Sequence, residues 1–241
     1  MRYAHTIIHK CLADAVREGL LARNPADLAK PPAMSATRAP EMSTWSPEEL
    51  REFLRFAEGD RLGVFFRVAG MTGMRLSELC GLKWSDLDGG ERLSVQRQVT
   101  TTGGTLALAN VKTARSRRSV DLDPETVAAL GRHRRAQLEE RLELGLGSRP
   151  EMMFTEPDGS LLSPRRTSAR FERLVTAPGT SKIRFHDLRH SHATHLIKAG
   201  AHPKVVADRL GHSSSSFTLD RYGHVLAGMG ADAAAAALVD G

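Results

Sequence analysis

The chain has 241 residues, of which 41% are hydrophobic, so it is long enough for one large packed domain or two small ones. Its 34 lysine and arginine residues outnumber 28 acidic ones, and the resulting charge of +6 favours a polyanionic partner such as nucleic acid. Cys11 and Cys80 stand too far apart for a CxxC motif, and the sequence shows neither a signal-peptide pattern nor a long apolar run. Composition therefore argues against a disulfide framework, a cysteine zinc site and a membrane span, and we expect a soluble protein of a reducing cytoplasm.

The first predicted element is a helix near the N-terminus. Apolar residues recur at helical spacing from Ile7 to Leu21, and the segment NPADLAKPP then ends the pattern. The next segment, from Pro31 to Ser43, is rich in Pro, Ala, Met and Ser and is typical of a linker.

A second helical region follows, interrupted by short strands. Ser46-Pro47-Glu48-Glu49 has the residues of a helix N-terminus, and helical patterns extend to about Gly70 and again from Leu76 to Trp84. Three β-type runs, LSVQRQV, TLALANV and RSVDL, are separated by TTGG and TARS turns and predict a small antiparallel sheet. From Asp123 onward the pattern is helical, apart from a short strand predicted at MMFTE. The predicted class is mainly α with one small antiparallel β-meander (α+β).

Several polar residues within these elements are candidates for chemistry, although each has an ordinary explanation when taken alone. Arg75 begins a helix whose leucines face a core, and a surface arginine there is common. Lys112 precedes Arg115, Arg117 and Arg118 in a basic hairpin, which is usually solvated or touches phosphates. Two further pairs complete the set: His186 and Arg189, which share a helical face, and His212 and Tyr222, which flank a serine-rich segment.

Together these residues resemble the catalytic domain of the tyrosine recombinases, the phage integrase family. The matching motifs, in the family's order, are Arg75 in TGMRLSEL, Lys112 in VKTARSRRSV, His186 and Arg189 in FHDLRHSHATHL, His212 in LGHSS, and Tyr222 in FTLDRYGHV. The resemblance implies the tyrosine recombinase catalytic-domain fold for residues 46–227. It also implies a remnant helix of the core-binding domain at 1–30, a linker at 31–45 and a C-terminal tail helix at 228–241. Most of the core-binding domain and any arm-binding domain would then be missing from this sequence.

The implied activity is that of a site-specific recombinase or integrase of a phage or mobile element, which cleaves and rejoins double-stranded DNA through a 3′-phosphotyrosyl intermediate. In-line attack on a phosphodiester accumulates negative charge on phosphate oxygens, and arginine matches such oxygens with a planar, permanently charged fork. A phenol with a pKa near 10 also needs a proton acceptor. The implied roles are a phosphate clamp by Arg75, Arg189 and His212, a nucleophile at Tyr222, a base at His186, and a leaving-group acid at Lys112.

The resemblance also implies partners and a lack of cofactors. The phosphotyrosyl bond conserves the energy of the phosphodiester, and the sequence has no GxxxxGK[ST] motif, so we expect neither a nucleotide cofactor nor a metal ion. A homo-tetramer on paired recombination sites is the expected assembly. Residues after Met229 are expected to dock either on a neighbouring subunit or on their own domain, with Leu238 and Val239 as apolar anchors.

Three alternatives remain open from the sequence. The four histidines His186, His190, His192 and His195 lie within ten residues, and histidines four apart can bind zinc, although no HExxH motif or acidic ligand set accompanies them. The segment HPKVVADRLGHSSSSFTLDRY also resembles a helix-turn-helix, which would make the protein a non-catalytic DNA reader. A type IB topoisomerase would have a similar constellation and would relax DNA without exchanging strands.

Overall fold

The computed structural model describes residues 2–29, 31, 43–111, 116–147, 149–176, 179–212, 214, 218–219 and 221–223. Lys112, residues 32–42 of the predicted linker and the predicted tail at 228–241 lie outside this set. The chain divides into two compact units, Met1–Met42 and Ser43–Gly241. Among the helices described, none is long and apolar enough to cross a membrane.

The first unit consists of helix α1 (Arg2–Arg17) and a short 3-10 helix, Pro25–Leu28. Helix α1 ends four residues before the predicted limit at Leu21, and Gly19 follows it with a φ of 75°. Asn24 joins the two helices, because its Oδ1 accepts the Ala26 N–H at 2.9 Å while its Nδ2 donates to the His9 carbonyl at 3.0 Å. A single capping residue therefore orients the turn against α1.

Seven further α-helices are assigned bounds in the described part of the second unit. They are α2 (Pro47–Ala57), α3 (Gly63–Thr72), α4 (Leu76–Cys80), α5 (Pro124–Glu143), α6 (Pro164–Leu174), α7 (Phe185–Lys198) and α8 (Pro203–Leu210). The predicted start of α2 is confirmed, since Ser46 Oγ accepts the Glu49 N–H while the Glu49 carboxylate accepts the Ser46 N–H at 2.9 Å. This reciprocal capping box satisfies two donors that a helix terminus would otherwise leave exposed.

The strands form two antiparallel sheets instead of the single meander that the sequence predicts. They are β1 (Leu87–Asp88), β2 (Arg92–Val95), β3 (Arg97–Thr102), β4 (Thr105–Asn110) and β5 (Arg118–Asp121). One sheet has the order β1-β2-β5, and the other is the hairpin β3-β4. The run LSVQRQV is divided at Gln96, whose carbonyl accepts the Val111 N–H at 3.2 Å while the strands on either side pair with different partners.

The prediction of a strand at MMFTE was wrong. That segment makes only two isolated bridges, Lys83 with Met152 and Thr155 with Leu161. Met153 and Phe154 are buried there, so the apolar run reflects core packing and not a regular strand. A short apolar run does not distinguish these two states.

The core of the second unit is an aromatic cluster that fixes helix α7. Phe53, Phe66, Phe171 and Phe185 contact one another with ring centroids 5.2 to 6.4 Å apart, mostly in tilted or edge-on geometry. Ten of the 14 residues of α7 are buried, including charged and polar ones, so this helix is not amphipathic in the ordinary sense. Buried polar side chains on a central helix require specific partners, and those partners define the candidate site.

A groove of about 630 Å³ lies on another face of α7. Leu50, Leu54, Met71 and Leu196 supply its apolar walls, and Arg51 and Arg55 lie among its lining residues.

Candidate active site

Arg75 lies at the N-terminus of α4 and is held at both ends of its guanidinium group. Its Nη1 donates to Glu78 Oε1 at 2.7 Å, and its Nη2 donates to the Gly211 carbonyl at 3.0 Å. The Arg75 N–H is also accepted by Glu78 Oε2 at 2.9 Å. The side chain is 37% exposed, so a fixed positive charge faces solvent at this point.

Behind Arg75 lies a buried ion pair that the sequence reasoning missed. Arg118 donates from Nη2 to Glu78 Oε2 at 2.8 Å and from Nη1 to Oε1 at 3.2 Å, with side-chain exposures of 6% and 2%. Its Nε donates to the Arg209 carbonyl at 2.7 Å. Although burial raises the pKa of Glu78, the hydrogen bonds and charges of Arg118 and Arg75 outweigh it, so that pKa lies below its usual range. Glu78 therefore stays ionised and positions two arginines at once.

The arginines of the basic hairpin therefore differ in their exposure to solvent. The sequence suggested solvated arginines or phosphate contacts at Arg115, Arg117 and Arg118. Arg117 is exposed, whereas Arg118 is buried in the ion pair, and Arg115 and Lys112 lie outside the described residues. The signal that could have separated Arg117 from Arg118 is strand alternation, because β5 places Arg118 and buried Val120 on one face.

Gly211 allows the end of α8 to approach this ion pair. It ends the helix with a φ of 69°, which favours glycine, and a Cβ added there would lie 3.0 Å from Arg118 Nη1. Its carbonyl is the acceptor for Arg75. The Leu-Gly-His motif therefore brings the backbone of α8 against both arginines and directs the chain to His212.

Arg189 is the most buried of the predicted arginines, at 4% exposure. Its Nη1 donates to the Gly73 carbonyl at 2.8 Å, while its buried Nη2 has no hydrogen-bond partner among the described residues. Burial, followed by the charges of Arg75 and Arg118, lowers the pKa of Arg189 to about 9, so it remains charged at neutral pH. A buried cationic donor without an acceptor is costly, and an anion that reached it would remove that cost.

His212 lies beside these arginines as a neutral imidazole. Its Nδ1 is 2.8 Å from Thr218 Oγ1, and Thr218 is fully buried. Burial and the charges of Arg189 and Arg75 lower the pKa of His212 to about 3. If Thr218 donates to Nδ1, the ring hydrogen of the neutral imidazole is on Nε2. Thr218 is a second residue that the sequence reasoning missed.

Tyr222 is fully buried, and its hydroxyl contacts α7. Tyr222 Oη is 2.7 Å from His190 Nδ1, and the two rings are 5.9 Å apart. The His186 ring stands at 88° to that of His190 with centroids 4.8 Å apart. The sequence marked His190 only as one of four clustered histidines, so its contact with the predicted nucleophile is a structural finding.

The electrostatics of this second group are those of neutral, desolvated side chains. Burial raises the pKa of Tyr222 to about 12, against the opposing charges of Arg189 and Arg221. Burial, then His186 and Arg221, lowers the pKa of His190 to about 4. The pKa of His186 is also lowered, by burial and by the charge of Arg189. At neutral pH the phenol of Tyr222 and the uncharged imidazole of His190 therefore lie next to a set of guanidinium groups.

The remaining histidines of α7 have partners of their own. Arg209 Nε donates to His192 Nε2 at 3.1 Å, and His195 Nε2 is 2.8 Å from the Trp45 carbonyl. Within the part of the chain that the structure describes, no three His, Cys, Asp or Glu side chains form a group that could hold a metal ion. His186 and His190 contact each other, whereas His192 and His195 have separate partners, so the four histidines do not form a single site.

The segment that suggested a helix-turn-helix is part of the same cluster. Helix α8 ends at Gly211, whose carbonyl accepts from Arg75, and the helical residues 221–223 include Tyr222. Arg75, Arg189 and the segment that contains His212 and Tyr222 are therefore brought together from three parts of the chain that are distant in sequence.

Comparison with known proteins is consistent with this arrangement. The model of the phage integrase family matches residues 44–228. The chain is 33% identical over 227 residues to the ICEBs1 integrase of Bacillus subtilis, and 33% identical over 229 residues to a XerC-like tyrosine recombinase of Caldanaerobacter subterraneus. These alignments cover 91% and 88% of this chain, but the chain spans only 60% and 59% of the two relatives.

Solved structures agree at the level of the fold. The Tn1549 transposon integrase in complex with transposon right end DNA matches with a TM-score of 0.75 at 23% identity, over 92% of this chain and 73% of that one. The XerA recombinase matches with a TM-score of 0.60 at 24% identity, over 83% and 65% of the two chains. The predicted class, helices with small antiparallel sheets in a tyrosine recombinase catalytic-domain fold, is confirmed. With the family model covering most of its length, the chain belongs to the phage integrase family of tyrosine recombinases.

Proposed function

We propose that this protein is a site-specific DNA recombinase or integrase that cleaves and rejoins strands through a 3′-phosphotyrosyl bond to Tyr222. The observation that supports it most directly is the buried Nη2 of Arg189, which has no hydrogen-bond partner among the residues that the structure describes and lies near the charge of Arg75. A phosphodiester is a suitable anion for that position, because two guanidinium forks can bind its two non-bridging oxygens. The Tn1549 transposon integrase in its complexes with DNA has the same fold, which makes DNA the natural source of the phosphate.

The proposed chemistry follows from fixed positive charge. As Tyr222 Oη bonds to phosphorus, negative charge grows on the non-bridging oxygens, and preorganised donors stabilise that charge without reorganisation. Arg75, Arg189 and His212 are the proposed donors. The rigid contacts of Arg75 with Glu78 and the Gly211 carbonyl support this role, because they hold the guanidinium group in place before DNA binds.

Two proton transfers accompany the step. The departing 5′ oxygen needs a proton, and Lys112, which the family resemblance selects, is the proposed donor. The phenolic proton must also be taken up, and the sequence assigned that role to His186. Proton acceptors of this kind contribute about 10²–10⁴-fold to a rate.

A homo-tetramer on two paired sites is the proposed assembly. The groove lined by Leu54, Met71 and Leu196 supports this assembly, since its apolar walls and volume of about 630 Å³ can accept apolar side chains of another subunit. We assign it to the C-terminal segment of a neighbouring copy, through Leu238 and Val239. Deletion of residues 230–241 should then lower both the mass of DNA-bound complexes in sedimentation and the yield of covalent complex. An unchanged result in both measurements would remove the segment from the assembly.

Covalent capture tests the function and identifies the DNA site in the same experiment. A pool of nicked duplexes with randomised arms is incubated with the protein and denatured in detergent, and protein-linked strands are recovered, amplified and reselected. We expect enrichment of a defined duplex, while Tyr222→Phe should bind that duplex and yield no linked strand, because only the attacking oxygen is lost. A linked strand with Tyr222→Phe, or no enrichment by the unaltered chain, would refute the proposal.

The same duplex separates the alternatives. A recombinase should exchange strands between two copies of the captured site, whereas a type IB topoisomerase would relax a supercoiled plasmid without exchange. A helix-turn-helix reader would bind and yield no covalent product.

A further inference from the structure

The hydroxyl of Tyr222 has one histidine partner, and it is not the one that the sequence selects. Within the described part of the chain, the imidazole nitrogen at hydrogen-bond distance from Tyr222 Oη is His190 Nδ1, at 2.7 Å. His186 lies one turn earlier on α7 and contacts the His190 ring edge-on. Both His190 and Tyr222 are nearly inaccessible to solvent, so water does not compete for this contact.

The surroundings of His190 suit a group that changes its protonation state. Its second ring nitrogen, Nε2, is buried without a hydrogen-bond partner among the described residues, so no carboxylate there holds the ring as a permanent cation. The nearest acidic side chain on α7, Asp187, is engaged by Arg184 through bonds of 2.9 and 3.0 Å. A neutral imidazole with a free lone pair towards the phenol is the state that can accept a proton.

The position of His190 next to Arg189 couples its protonation to binding of the phosphate. His190 follows Arg189 directly, so α7 presents the anion-binding guanidinium group and the phenol-binding imidazole from consecutive residues. When a phosphodiester reaches Arg189, its negative charge also lies near His190 and favours protonation of the imidazole.

We propose that His190 is the proton acceptor for Tyr222, an inference that rests on the proposed function. As Tyr222 Oη forms its bond to phosphorus, the bond from phosphorus to the 5′ oxygen breaks, and the phenolic proton moves to His190 Nδ1. The departing 5′ oxygen takes its proton from Lys112. Religation reverses each transfer, so His190 returns the proton to Tyr222 and no external reactant is consumed. His186 then orients the His190 ring and does not touch the reacting oxygen.

The first test needs no DNA. Long-range proton–nitrogen spectra of the imidazole rings are recorded for the unaltered chain and for Tyr222→Phe, with His190→Asn used to assign the signal. Loss of the hydroxyl should move the His190 Nδ1 resonance and leave the His195 nitrogens in place. An unmoved His190 signal would show that the contact does not exist in solution and would overturn the proposal.

The second test is the rate of single-turnover cleavage of the captured duplex. His190→Asn keeps a hydrogen-bonding atom near the Nδ1 position but is not a base, and we expect cleavage to fall about 10²–10⁴-fold. The matched variant His186→Asn should lose less. A greater loss for His186→Asn, with His190→Asn near the original rate, would return the role to His186.

Chemical rescue distinguishes proton transfer from packing. His190→Ala leaves a cavity at the phenol, and added imidazoles of graded basicity should restore cleavage more effectively as their basicity rises. Rescue that follows only the size of the imidazole, or no rescue in a variant that circular dichroism shows to be folded, would overturn the proposal. Failure to capture any duplex would instead refute the proposed function itself, whereas capture with equal rates for His190→Asn and the unaltered chain would refute the role of His190 alone.

Discussion

The candidate site has two sides that are built by opposite means. On the arginine side, Arg75 and Arg118 share a buried carboxylate, Glu78, and each also donates to a backbone carbonyl at the α8 terminus. On the histidine side, Tyr222 and His190 are neutral and make one contact with each other in a desolvated space. Fixed charge suits the binding of an anion, and low polarity suits proton transfer between neutral groups. The boundary between the sides falls between two consecutive residues, Arg189 and His190.

The largest expected effect concerns the buried carboxylate of the arginine side. Glu78→Gln leaves Arg118 without its counter-charge, and we expect the free energy of unfolding to fall by about 3 kcal/mol or more in urea denaturation. The double variant Glu78→Gln/Arg118→Met should recover most of that loss, because it removes both charges together.

A matched control separates stability from catalysis. Asp86, whose side chain is 2% exposed, forms another ion pair by accepting from Arg97 Nη1 at 2.5 Å, and none of the contacts described for the two residues involves Arg75, Arg189, His212 or Tyr222. Asp86→Asn should therefore destabilise the fold by a comparable mechanism without slowing cleavage once the protein is folded. We expect Glu78→Gln, unlike Asp86→Asn, to slow cleavage. If the two variants slowed cleavage by the same factor, the positions of Arg75 and Arg118 would not depend on Glu78.

The pH dependence of stability tests how far the region around the histidine side is desolvated. Burial and the charge of Arg209 lower the pKa of His192 to about 3, whereas an unfolded histidine titrates near pH 6.5. Because the folded pKa is depressed, the unfolded state binds the proton first, and this stabilisation is complete above about pH 6.5 and lost as the pH falls towards 3. The slope is at most about 1.4 kcal/mol per pH unit. His192→Gln should flatten the dependence of the unfolding midpoint between pH 6.5 and 4, and parallel curves would contradict the prediction.

The smallest expected effect on cleavage concerns Thr218, the hydrogen-bond partner of His212. Thr218→Val removes the hydroxyl that contacts His212 Nδ1 while keeping the volume of the side chain. A lost hydrogen bond of this kind is worth about 1 kcal/mol, so cleavage should slow about fivefold. Thr218→Ser keeps the hydroxyl and should retain most of the activity. If the serine variant were as slow as the valine variant, the methyl group and not the hydrogen bond would position His212.

Local features were predictable along the chain. The start of α2 at Ser46 follows from a capping pattern that spans only four residues, and the fold class follows from the spacing of apolar residues. The positions of Arg75, Arg189, His212 and Tyr222 were found through their motifs, each of which is a short stretch of sequence. These signals are local because capping and helical periodicity act between residues at most four apart.

The contacts that organise the site were not predictable in this way. His190 meets Tyr222 across 32 residues, Arg118 meets Glu78 across 40, and Arg75 meets Gly211 across 136. The sequence marked Arg118 as one of several hairpin arginines and His190 as one of four histidines. Strand alternation could have separated Arg118 from Arg117, but no local signal identified their partners. Periodicity along α7 was also uninformative, because ten of its 14 residues are buried and the buried ones include both polar and apolar side chains. The residue types and their order were therefore written in the sequence, whereas the choice of partner depended on which side chains the packed core brought within hydrogen-bonding distance.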